Sequence, residues 1–318
     1  VGRLERMVRA VTLIPGTTEF GYEPAAVTAL LGPGQSANEN RHVAHAASDV
    51  EAALDDLQGV CPNVERVAVV VTWFGDDLRA GHCRVRPGVE LADKTTSGGV
   101  WSVAGLAREA AYVVSQQGCR PALGGTPSDD SVSHLITELK ARGLKVTLYP
   151  FLMMGIAADN ARPDPWSGAA SQPAYPWRGR ITCDPAPGRL GSPQGTATAA
   201  AQVASFFGGG DWNYRRMVLH YARLAGDAGG VDAFLIGSEL KALTRLRAGA
   251  GLYPAVDALA APAADVKAIV GDATKVTYGA DWTEYGCDVI EAGEVRFPLD
   301  PLWASPHIDM IGIDYYAP

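Results

Sequence analysis

The sequence predicts an α/β fold of the (β/α)8, TIM-barrel-like kind, incomplete in this chain at about six of eight βα units and preceded by an N-terminal extension. Three observations predict it. Short β-rich apolar runs alternate with stretches of helical period, which is the pattern of βα units on a parallel sheet. GGTPSD at 124–129 lacks the G-x-G-x-x-G spacing that a dinucleotide fold needs to bring its backbone onto a pyrophosphate. The run VDAFLIGSELKAL, 231–243, is an apolar strand pattern that carries Glu239 at its C-terminal tip, where parallel barrels place their reactive groups.

The elements follow in order. Residues 1–59 read as an extension docked outside the barrel plus a lead-in helix, in which Ala47, Val50, Leu54, Leu57 and Val60 recur at helical spacing. The barrel domain spans 60–318. Its first strand is 64–77, and a weaker one is RPALGG at 120–125. Thr126 or Ser128 then caps a helix with Asp129 and Asp130 in its first turn and Gly143 at its end. The third strand is 144–154. NYRRMVLHYARLAGDAGG is the helix that feeds the fourth strand at 231–237. The next helix contains Pro262, which should break or kink it. TKVTYGADWTEY and HIDMIGIDYYAP supply strands five and six.

Closing a barrel takes eight strands, so six visible ones predict that the polypeptide continues beyond Pro318 or that its sheet edges are covered by another copy or by the N-terminal residues. Insertions at 79–104 and 155–210 follow strand ends and so fall on the catalytic face. The second holds seven prolines with Trp166 and Trp177, and reads as a functional lid or as a solvated linker.

Composition narrows the function. The chain has 318 residues, 47% of them hydrophobic, and a formal charge of −8, which suits a globular core and argues against nucleic acid as a partner. No run approaches the roughly 20 apolar residues of a membrane span. The five cysteines have no metal-ligand spacing and read as mostly free thiols, with one disulfide open. His42 and His45 lack a third ligand, so no metal is expected, and no cofactor either. No G-x-S-x-G elbow or H-E-x-x-H helix is present.

The residues just past the strand ends are the candidates for a site: Trp73, Asp76 and Asp77; Tyr149, Pro150 and Met154; Ser238 and Glu239; Asp281, Trp282 and Glu284; Asp314, Tyr315 and Tyr316. Glycoside hydrolysis needs two carboxyl groups about the scissile bond, and Glu239 is the expected proton donor. Alternatively, it opens the next helix, where an acid favours the dipole. Trp73, Trp282, Tyr315 and Tyr316 offer rings for sugar faces, although each alone also suits a core. Ser238, with no adjacent base, is expected to orient Glu239 or a sugar.

Taken together, LGGTPSDDSV, LKARGLKVTLYPFLMM, FLIGSELKAL, VTYGADWTEY and HIDMIGIDYYAP resemble the TIM-barrel-like glycoside-hydrolase domain of the large tail-tip proteins of gene transfer agents and related phage tails. MVRAVTLIPGTTEFGYEP is similar to the region that precedes that domain. The resemblance implies that Glu239 is the acid/base carboxyl after strand four, with Ser238 in the place of the commoner Asn, and that Trp282 and Tyr315 line the sugar site. It implies a second carboxylate after strand seven, beyond Pro318, without which the isolated chain would be inactive. It further implies a cell-envelope glycan or polysaccharide as partner, together with other tail-tip proteins or copies of itself, and a virion tail component made in a bacterial cytoplasm. A structural or receptor-binding module that keeps the barrel without the chemistry is the alternative.

Overall fold

The computed structural model describes residues 2–14 and 16–316. Six strands lie side by side in chain order: β1 (Ala10–Leu13), β2 (Arg66–Gly75), β3 (Lys145–Met154), β4 (Ala233–Ser238), β5 (Lys275–Asp281) and β6 (Gly312–Asp314). They run parallel. β1 pairs with β2 from Ala10 opposite Arg66 to Leu13 opposite Val69, and β5 with β6 from Gly279 opposite Gly312 to Asp281 opposite Asp314. Between these pairs, strand starts meet strand starts, as in Lys145 N–H to Glu65 O and Asp232 N–H to Val146 O. Strand ends likewise meet strand ends, as in Gly155 N–H to Gly75 O and Glu239 N–H to Gly279 O. Val85–Arg86 adds an antiparallel pair at the end of β2.

Helices separate successive strands: α1 (Asp49–Val60), α2 (Asp129–Ala141), α3 (Ala197–Gly208) and α4 (Tyr214–Asp227), then α5 (Lys241–Thr244), α6 (Pro254–Val270), α7 (Trp282–Tyr285) and α8 (Asp300–Trp303). This alternation on a parallel sheet is an incomplete (β/α)8 barrel. Local chemistry sets the helices. Ser48 accepts from Glu51 N–H to start α1, and Ser128 accepts from Ser131 N–H to start α2. Gly143, at φ 75°, takes the left-handed turn just past α2. In α4 the buried residues Tyr214, Met217, Val218, Tyr221, Ala222 and Ala225 recur at three and four, which is one face of a helix. No helix among the described residues is long and apolar enough to cross a membrane.

The structure departs from expectation at several elements. Residues 120–125 contribute no strand to the sheet: Arg120–Pro121 pairs with Gln116–Gln117 in a small hairpin. Pro121 lacks an N–H for a ladder, and Gly124 and Gly125 offer no side chain to pack. The sheet instead gains Ala10–Leu13 from the segment expected outside the barrel, so the N-terminal residues cover the edge of β2. The fifth run ends at Asp281 and turns into α7. The sixth strand is short, and Pro262 lies buried within an α6 that runs on through it. The 155–210 insertion is ordered chain with Ile156, Arg178, Ile181, Cys183 and Ala186 buried, which excludes the solvated-linker reading. All five cysteines are free, three of them buried.

Two compact units divide the chain. One holds Pro87–Tyr149, Arg223–Ala233 and the chain up to Thr72. In it Glu19, buried, takes two hydrogen bonds from Arg108 (2.9 and 2.8 Å), and Lys94 lies 3.0 Å from Glu19, 3.0 Å from Glu39 and 2.5 Å from Glu90. The ammonium group thus sits among the three carboxylates. Arg142, just past α2, binds Glu51 and Asp55 of α1 and Glu138 of its own helix. The other unit holds Trp73–Arg86, Pro150–Ala222 and the chain from Phe234, and every residue of the site described next belongs to it.

Burial pushes the Glu19 carboxyl up, but the Arg108 hydrogen bonds, followed by the charges of Lys94 and Arg108, overcome this and hold it below its ordinary value of 4.5. A lowered folded value gives stability that is present above pH 4.5 and is lost as pH falls through the folded value. Arg108→Met should therefore cost about 3 kcal/mol at pH 7 by taking two charge-assisted hydrogen bonds from a buried carboxylate and leaving Lys94 to pair it. In acid the deficit should shrink, as read from urea unfolding at pH 7 and pH 3.

Candidate active site

The site is built at the end of β4, where the backbone turns sharply. Gly237 has φ 143°, and a Cβ there would fall on the hydroxyl of Tyr214, itself buried and donating to Ile236 O at 3.1 Å. Two residues on, Glu239 has φ 53°, a left-handed conformation that costs a non-glycine residue about 1–3 kcal/mol and persists only where its surroundings enforce it. Its N–H is fixed by Gly279 O at 2.8 Å.

The surroundings come from the 155–210 insertion. Arg178, buried, donates to Ser238 O (2.9 Å) and Ser238 Oγ (2.8 Å) and pairs with Glu239 Oε2 at 3.0 Å. Its guanidinium lies 3.9 Å from the centre of the Phe151 ring on β3. Trp177 Nε1 donates to the same Oε2 at 2.6 Å, and Tyr316 Oη donates to Oε1 at 3.1 Å. Three donors thus surround a carboxyl that is 4% exposed. Burial, then the charge of Glu239, raises the Tyr316 phenol above its ordinary value and keeps it a donor.

Several expected residues gather here. Ser238 orients Arg178, which in turn holds Glu239. Asp314 and Ser238 converge over Gly279, where an added Cβ would meet Asp314 Oδ2 and Ser238 Cβ at 3.1 Å each. Trp282 and Tyr315, both exposed, form an edge-on pair with centroids 6.2 Å apart.

Others take different work. Trp73 is completely buried against Trp212, His220 and Tyr221, so its ring cannot meet a sugar; the apolar run of β2 puts it on an inward face. Asp76 accepts from Arg84 N–H and faces Arg86 at 3.5 Å. Asp77 is held by Arg79 and Gln172. Tyr149 is half-buried on β3, where Pro150 and Met154 are buried. Asp281 caps α7, accepting from Thr283 N–H, and the Glu284 carboxylate in turn accepts from Asp281 N–H in a capping box.

Glu284 is buried, and burial pushes its carboxyl up to about 7 despite hydrogen bonds from Thr244 (2.7 Å) and Tyr278 (2.9 Å). It is a buried prop and not a rim residue. Sequence reasoning missed Arg178, since nothing in PWRGR distinguishes it from the other arginines of the insertion, and it placed Trp177 in that insertion without linking it to Glu239.

Trp177 also borders a groove of about 460 Å³, lined further by Trp166, Arg180, Lys241, Arg245 and Arg247. The groove therefore starts one indole ring away from Glu239.

A raised folded value means that the native state binds the Glu284 proton between pH 4.5 and about 7, so stability falls as pH rises through that window. Glu284→Gln should flatten this slope, removing a penalty of about 3 kcal/mol at most, as read from melting curves between pH 5 and 8. Gly237→Ala should cost about 1–3 kcal/mol by driving a methyl group into Tyr214, measured by the same unfolding.

Comparison with known proteins adds the following. No curated protein sequence matches the chain. Among solved structures it is similar to a GH113 β-mannanase from Alicyclobacillus acidocaldarius in complex with ManMIm, at 15% identity and TM-score 0.48, covering 96% of this chain and 60% of that one. Two further GH113 β-1,4-mannanase structures are similar at 17% and 18% identity and TM-scores 0.43 and 0.41, covering 84% and 83% of this chain and 56% and 55% of theirs. The chain thus spans 55–60% of the length of these enzymes. Residues 212–318, which carry β4, β5, β6 and Glu239, match the family model of the GTA TIM-barrel-like domain, the family that the motifs of the sequence resemble.

Proposed function

We propose that the chain is the glycan-processing domain of a tail-tip protein of a gene transfer agent or related phage-like particle, hydrolysing cell-envelope glycans during host attachment and entry. One observation carries the chemistry. A carboxyl group is held in a strained backbone turn at the end of the fourth strand of an incomplete parallel barrel, with rings and a guanidinium around it. Strain of this kind collects at functional sites. The family match over residues 212–318 supports the tail-tip assignment, with synthesis in a bacterial cytoplasm and assembly into the tail alongside other tail proteins or copies of the chain.

In this reading Glu239 gives a proton to the leaving oxygen. Tyr316, 65% exposed, is the neighbour that an entering sugar displaces from Oε1, while Trp177 and Arg178 keep hold of Oε2. Trp282 and Tyr315 offer ring faces to the sugar. A retaining reaction also needs a second carboxylate about 5–5.5 Å from Glu239.

A second reading has its own observation. The buried Arg178–Glu239 pair ties up the carboxylate, as in a barrel that binds glycans without cleaving them. Glu239→Gln separates the two. Under the first reading, release of reducing ends from purified envelope glycans falls about 10²- to 10⁴-fold, with a smaller loss on aryl glycosides whose leaving group needs no proton. Equal release by the variant removes Glu239 from the mechanism, whereas no release by the wild-type protein alongside retained glycan binding favours the second reading.

A further inference from the structure

The groove beside Glu239 has a charge opposite to that of the protein. The chain carries a formal −8, yet the groove is lined by four cationic side chains, Arg180, Lys241, Arg245 and Arg247, against the single carboxylate of Asp288. Arg245 is partly committed, donating to Thr283 O and Cys287 O and lying 3.9 Å from Asp288. The other three have no carboxylate partner among the described residues. Lys241 donates to the Thr283 hydroxyl at 2.6 Å. Arg180 lies 5.9 Å from the Trp166 ring centre. The Nε of Arg247 is buried with no hydrogen-bond partner.

Half-buried cations with no carboxylate matched to them, around a concave, ring-lined space, make a setting that favours an anion. Guanidinium forks match the planar oxygens of a carboxylate and the oxygens of a phosphate, and tryptophan faces suit a sugar ring. Trp177 joins the two regions, since it donates to Glu239 on one side and lines the groove on the other. Lys241 and Ala242 continue the lining two and three residues after Glu239.

We propose that this groove is an anionic-sugar subsite: it takes a glycan residue bearing a carboxylate or phosphate and so sets the bond presented to Glu239. The proposal rests on the glycan reading above, and names acidic envelope glycans as its substrate class.

The test uses soluble oligosaccharides released from purified bacterial envelope, in three forms: native, carboxyl-reduced so that each carboxylate becomes a primary alcohol, and dephosphorylated with hydrofluoric acid. Binding of each to the chain is measured by calorimetry. One treatment should weaken binding about tenfold or more, which identifies the anion, and binding of the native form should fall as salt rises. Arg180→Gln and Arg247→Gln should each lose about tenfold on the native form and nothing on the neutralised one. Lys241→Met serves as a third variant, with unchanged melting temperature as the check on folding.

Equal binding of all three forms, unaltered binding by the folded variants, or no binding of the native form overturns the subsite. Its failure is distinguishable from that of the hydrolase reading. Glu239-dependent release from glycans of every charge sinks the subsite alone, whereas charge-selective binding with release indifferent to Glu239→Gln sinks the hydrolase alone.

Discussion

The rim of the sheet depends on the pairing of Arg178 with Glu239 and Ser238. A guanidinium and a carboxylate that are 7% and 5% exposed have surrendered most of their hydration, a cost that one contact at 3.0 Å does not repay. Two further hydrogen bonds to Ser238 and the face of Phe151 make up the difference. The same contacts fix the left-handed turn at Glu239, which has no reason to persist in an isolated strand end. The insertion and the strand thus order each other. Arg178 comes from a proline-rich stretch with little regular structure, and β4 supplies the acceptors that hold it.

The carboxyls of this region differ in what their neighbours leave them free to do. Asp281 and Glu284 are occupied in starting α7, and Glu284 is buried deeply enough to hold a proton near neutrality. Asp314 is placed beside Ser238 by the pairing of β6 with β5. Glu239 is the one that combines a strained backbone with donors from separate segments, at Trp177 and Arg178 in the insertion and Tyr316 past β6. Under the proposed function, environment divides the labour among these acids, leaving Glu239 for chemistry and the others for structure.

How much of this was legible in the sequence differs by element. β2, β3 and β4 read directly as apolar runs, and the cap at Ser128 follows a local rule that tertiary context did not override. The strand count came out right through two compensating errors. The run at 120–125 reads as a strand although Pro121 and two glycines weaken it, and Ala10–Leu13 gives little signal because four residues are the shortest stretch in which alternation can be read. Glu239 therefore follows the fourth strand on either count. At the site, position past a strand end found Glu239, Ser238 and Tyr316. It also gathered Trp73, whose inward direction depends on which face of β2 is covered, and Glu284, whose role depends on a cap formed with Asp281. The Arg178 contact spans 61 residues of sequence from Glu239, and no local pattern encodes it.

Charge shows how local arrangement outweighs composition. A net −8 argues against acidic partners when averaged over the chain, and that average is what a sequence reports. At physiological salt the Debye length is about 8 Å, so remote carboxylates are largely screened from a ligand already in the groove. What such a ligand meets is Arg180, Lys241 and Arg247, none of them matched by a carboxylate, inside walls that hold field lines in. If the groove is the proposed subsite, the overall charge slows the approach of an acidic glycan and the groove governs how long it stays. Selectivity in such a site is expressed in residence time and in the bond brought to Glu239, more than in the rate of first encounter.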